Sequence, residues 1–83
     1  MKIVFSAVLL PQNGGIEARA GEVRLSGYGR DADSALDSLR RGVRAWVIGL
    51  KAAGELDAAL ERRGIACEQG GNETQVDVRV RAA

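Results

Sequence analysis

Asp31, Asp33 and Asp37 form a cluster of carboxylates, and Asp33 and Asp37 stand one turn apart if the segment is helical. Such a pair can hold a divalent cation, but a two-metal nuclease needs carboxylates that converge from several elements. Helix capping by Asp31, the helix dipole at Asp33 and a solvated face at Asp37 account for all three, so no metal or cofactor site is expected. Gly27-Tyr28-Gly29 precedes the same segment but lacks the glycine spacing and the Lys-Ser/Thr pair of a phosphate-binding loop, and reads as chain turn. There is no histidine and a single cysteine, Cys67. No imidazole can serve a zinc site, a nucleophile–base pair or a proton shuttle at neutral pH, and no internal disulfide can form. The expectation is a protein that is not an enzyme.

The cations invite a second chemistry. Arg40, Arg41 and Arg44 crowd one segment, with Arg62 and Arg63 further on, and such a group can grip a nucleic-acid backbone. Twelve Lys and Arg stand against eleven Asp and Glu, a formal charge of +1. That balance gives no strong pull toward nucleic acid or an anionic membrane, and Asp37, Glu55 and Glu61 are interleaved with the arginines. A solvated face is the expectation; RNA binding through these five arginines is the alternative.

The elements that would position these residues follow from hydrophobic period. Lys2 to Leu10 is of strand length and apolar on both alternating sets, Ile3, Phe5, Ala7, Leu9 and Val4, Val8, Leu10, as a central strand requires. Its charged start and apolar run resemble a signal peptide, but the run breaks at Pro11 with no small-residue cleavage site, so it is expected to be retained in a cytoplasmic protein. Pro11 to Gly15 reverses the chain. Ile16–Ala20 and Val23–Ser26 alternate around a bend at Gly21, giving a three-stranded meander. From Asp31 the period becomes helical, with Ala32, Ala35, Leu36, Leu39, Val43, Trp46, Val47 and Leu50 on one stripe; Asp31 is the N-cap, Gly54 the residue past the C-terminus, and Trp46 a core residue. Leu56, Ala59 and Leu60 predict a short second helix stopped by Gly64. Gly70-Gly71-Asn72 reads as a turn, and Thr74 to Arg81 as a strand with one wet face.

These elements predict one α+β domain over residues 1–83: a four-stranded mixed sheet of order 3-2-1-4, built as β-β-β-α-(short α)-β, with the last strand parallel to the first after a right-handed crossover. A domain this small gains from self-association, and a homo-oligomer is expected. One long and one short helix can cover only one face of the sheet, so one apolar set of the first strand lacks cover. Val4, Val8 and Leu10, or the opposite set, should then meet a partner or a second copy. Gly42 and Gly49, seven apart in the long helix, each cost about 1 kcal/mol relative to Ala. With Ala45 they form a small-residue strip, open to three readings: tolerated drift, close packing on the sheet, or a helix contact between subunits.

From Gly14 to Ile65 the chain resembles the HicB-like domain, the antitoxin fold of bacterial HicA/HicB toxin–antitoxin pairs. The resemblance runs through Gly14-Gly15-Ile16-Glu17-Ala18, through Ser26-Gly27-Tyr28-Gly29-Arg30-Asp31, through the helix opening from Asp31 to Val43, and through Leu60-Glu61-Arg62-Arg63-Gly64-Ile65. It implies a partial RNase H-like sheet, no catalysis, dimers or tetramers, and binding that masks the active surface of a HicA-type mRNA interferase. The chain departs from the family pattern in three places. Ala20-Gly21-Glu22-Val23-Arg24-Leu25 replaces the frequent Pro-Asp-Leu-Pro-Gly-Cys element, Arg30 stands where Asp is frequent, and no DNA-binding segment is expected after Ala83. The resemblance therefore implies a protein-binding antitoxin domain without operator binding.

Overall fold

In the computed structural model, which describes residues 1–71 and 73–81, the elements run β1 (Lys2–Gln12), β2 (Gly15–Ala20), β3 (Leu25–Gly29), α1 (Ala32–Ala52), α2 (Leu56–Arg63), β4 (Ala66–Glu68) and β5 (Gln75–Val80). The α+β class, the neighbour order of the meander and the parallel placement of the last strand against the first agree with the sequence reading. The strand count does not. A fifth strand, β4, pairs antiparallel with β1 over Lys2 to Val4. Three residues carry no readable period, which is why the sequence does not announce it. The expected turn at Gly70-Gly71-Asn72 includes Asn72, which lies outside the described residues.

β1 is bonded along both edges. The Ala7 carbonyl accepts from the Arg81 amide and the Met1 carbonyl from Gln75, so the backbone groups of odd-numbered residues face β5. Even-numbered residues face the other edge, shared by β2 over Val8 to Gln12 and β4 over Lys2 to Val4. Between those two ladders the Ser6 amide has no strand partner, and the Glu22 carboxylate accepts it at 3.0 Å. β1 continues through Pro11, past the expected end at Leu10, because Pro11 faces away from β2 and forfeits no ladder bond there. Asn13 and Gly14 close the hairpin, with Gly14 at φ 74°.

α1 begins where Asp31 accepts the Ser34 amide at 2.8 Å, and Gly54, at φ 72°, follows its end. Its stripe of Ala35, Leu36, Leu39, Val43 and Val47 buries Ile3, Phe5 and Ala7 of β1 together with Ala18 and Ala20 of β2. Trp46 packs edge-on to Phe5 at 6.1 Å between ring centres, half-buried at the rim of this core. α2 adds Leu56 and Leu60, and Gly64 at φ 65° ends it.

Two sequence expectations need correction around β3. Residues Gly21 to Arg24 form a turn, with Val23 buried and Arg24 at φ 55°, so the strand starts at Leu25. Gly27-Tyr28-Gly29 is then strand and not an exit turn. A Cβ on Gly27 would fall inside the van der Waals envelope of the Ala35 carbonyl and the Leu39 amide, and one on Gly29 would collide with Ser34 and Ala35. The two glycines let β3 lie directly on the first turns of α1. Gly27→Ala is therefore expected to destabilise the protein by about 1–3 kcal/mol in urea unfolding, because the obstructing atoms are backbone. Gly42→Ala, where an added Cβ meets open space, is expected to stabilise it by roughly 0.5–1 kcal/mol.

Candidate functional site

Both helices lie against one face of the sheet, and the other face carries the even-numbered side chains of β1. Register places Val8 beside Arg19 and Arg19 beside Ser26, and Leu10 beside Glu17 and Glu17 beside Tyr28. At the other end Val4 lies beside Asp77, Ser6 beside Arg79 and Lys2 beside Glu68. Of the expected apolar set, Val4 is buried, whereas Val8 and Leu10 remain partly open. Tyr28, on the same face, is 64% exposed. A shallow hollow at the break between β2 and β4 is floored by Val4, Ser6 and Val8 and rimmed by Arg19, Glu22 and Arg81.

Two ionic clusters frame these apolar side chains. Glu17, 4% exposed, accepts from Arg19 at 3.0 and 3.1 Å, from the Ser26 hydroxyl at 2.7 Å and from Gln12 at 2.8 Å. The Arg19 hydrogen bond, then that of Ser26, holds its carboxyl below the ordinary carboxylate range against the opposing effect of burial. A carboxylate so fully engaged has little capacity left to take a proton from a substrate. Across β1, Arg79 donates two bonds to Glu68, at 2.9 and 3.1 Å, and one to Asp77 at 2.9 Å. Glu68 is likewise lowered, first by its bond from Arg79.

The five arginines do not form one patch. Arg40 is tied to Asp37 at 2.9 Å, and Arg41 is exposed. Arg44 lines a groove beside β5 with Ile48 and Lys51. Arg63 lies 5.6 Å from the ring centre of Trp46 and donates to the Glu22 carbonyl at 3.2 Å. Arg44 and Trp46 are two residues apart, about 200° around the helix, so Arg63 and Arg44 sit on opposite flanks of α1. Arg62 is exposed. Gly42 and Gly49 are on the Trp46 flank by their spacing of four and three residues. An added Cβ at either meets nothing, so close packing on the sheet is not their role.

The alternation of Glu17 with Arg19, and of Asp77 with Arg79, was the available signal for the two clusters. Each reads in sequence as a wet strand face. Among the described residues no helix is long and apolar enough to cross a membrane. No family model matches the chain, nor does any curated protein or solved structure compared with it.

Glu17, Glu68 and Asp31 are all lowered in the folded state, so they bind protons more weakly folded than unfolded. The stabilisation they give is whole above the ordinary glutamate value of 4.5 and drains away as pH falls through the depressed values. Glu17→Gln is expected to lower stability at neutral pH and to shrink the further loss on acidification. Denaturant unfolding at neutral pH and at about pH 3 measures both.

Proposed function

We propose that this chain is a non-catalytic, cytoplasmic protein-binding module of the HicB-like kind, with a partial RNase H-like sheet, which neutralises a HicA-type mRNA interferase by covering its working surface. The observation that carries this reading is the sheet face without helical cover, where Tyr28 is exposed and Val8 and Leu10 are partly open beside the Glu17 cluster, with the Glu68 cluster at the other end of β1. Interfaces are commonly built this way, with apolar and aromatic anchors inside a polar rim. The run β-β-β-α-α, which the short β4 separates from the last strand, and that strand's parallel pairing with β1 support the same reading.

Occlusion requires no reacting group, only shape and a rim that leaves no charge unpaired on burial. The partner is expected to be a small basic protein that seats on Val8 and Leu10. Tagged full-length chain purified from its native cells is expected to bring down such a protein in stoichiometric amount. Val8→Glu should release it, weakening binding by about a hundredfold while leaving the thermal midpoint little changed. Elution of the chain alone, or retention of the partner by the Val8→Glu variant, would overturn the proposal.

A further inference from the structure

We infer that two copies of this chain pair through the free edges of their β5 strands, antiparallel about a two-fold axis at Val78, so that one sheet runs through the dimer. Among the described residues β5 pairs only with β1. The amides of Gln75 and Arg81 point at β1, so the backbone groups of Val76, Val78 and Val80 point outward from the sheet. An edge of six residues without proline is a template for another strand unless charge or a bulge blocks it. The side chains aligned with those outward groups are apolar, and two of the three large exposed hydrophobics among the described residues, Val80 and Ile48, sit at this edge or on the helix flank beside it.

The occupant and its register follow from charge. Antiparallel pairing sets outward-facing residues opposite one another, which leaves a short list of symmetric alignments. Centred on Val78, the strands pair Val78 with Val78 and Val76 with Val80 of the second copy through backbone bonds. In the close, non-bonded positions Asp77 faces Arg79 of the second copy, twice by symmetry, and Gln75 faces Arg81. A shift to either neighbouring symmetric alignment sets Asp77 against Asp77 or Arg79 against Arg79. Opposite charges directly across an antiparallel pair stabilise and like charges oppose, so β5 is complementary to itself in one register. The same join brings the groove between α1 and β5, lined by Arg44, Val47, Ile48 and Lys51, over the added strand. It leaves the helix-free face open and doubles its extent, so the inference does not depend on the proposed function.

Light scattering on the full chain across micromolar to millimolar concentration, with amide exchange on isotope-labelled protein, tests the inference. The expected result is a mass twice that of one chain, with the amides of Val76, Val78 and Val80 slowed as concentration rises. Asp77→Arg and Arg79→Asp should each raise the dimer dissociation constant roughly tenfold. Mixed together, the two variants restore both bridges and should form a heterodimer. Because Arg79 also holds Glu68 and Asp77 of its own chain, thermal melts establish that each variant folds; Val80→Lys, which touches none of these bridges, should weaken the dimer as well. A monomer at all concentrations, a dimer whose three valine amides exchange freely, or folded charge variants that do not associate on mixing would overturn it.

Discussion

The seating of α1 on β3 and β2, over the side chains of β1, is the constraint from which the other features follow. Ile3, Phe5 and Ala7 reach zero exposure only because a helix of 21 residues lies along that face, and it lies that close only because β3 offers Gly27 and Gly29 where other strands offer side chains. With α2 drawn in beside α1, every long apolar stripe of the chain is spent on one side of the sheet. The second side is left to the even-numbered residues of β1. Val4, Val8 and Leu10 give that second side apolar groups which no helix of the described residues covers, and it is on this asymmetry that the proposed binding surface rests.

The sheet has an economy of its own. β1 supplies hydrogen bonds along both edges, but β2 and β4 together do not fill one of them, and the Glu22 carboxylate completes the line at Ser6. Glu22 sits in the turn that Arg24 closes in the left-handed region, while Arg63 holds the Glu22 carbonyl from α2. A turn that departs from regular strand therefore carries the continuity of the sheet. On the opposite edge β5 has no such device among the described residues, and its outward backbone groups are left to water or to another chain.

Much of this was legible in the sequence, and the parts that were not share a cause. The period-two runs of β1, β2 and β5 and the helical stripe of α1 mark their elements because burial on one side imposes a repeat. The caps at Asp31, Gly54 and Gly64 are legible because backbone groups at helix ends need particular residues. Hydrophobic period is silent where no side chain exists, so the Gly27-Tyr28-Gly29 strand reads as a turn although its glycines mark where strand and helix backbones come too close for a Cβ. It is silent also over three residues, which hides β4. The uncovered face was inferred by counting helices against sheet faces, but its ionic framing was not. Glu17 and Arg19 alternate as residues of any solvated strand do, and only the fold shows Ser26 and Gln12 converging on the same carboxylate.

That framing bears on how such a face can bind. A partner that covers Val8 and Leu10 must also dehydrate the groups around them, and an unpaired charge there would cost more than the apolar contact returns. Glu17 is already matched by Arg19, Ser26 and Gln12, and Glu68 by Arg79, so desolvation leaves each carboxylate with its bonds intact. The same bonds hold the long Arg19 and Arg79 side chains in place before any encounter. Part of the rotamer entropy that binding normally removes has thus been lost on folding. The face is polar at its rim, yet its carboxylates are spent on neighbouring donors, so covering it would strand neither Glu17 nor Glu68 without a partner.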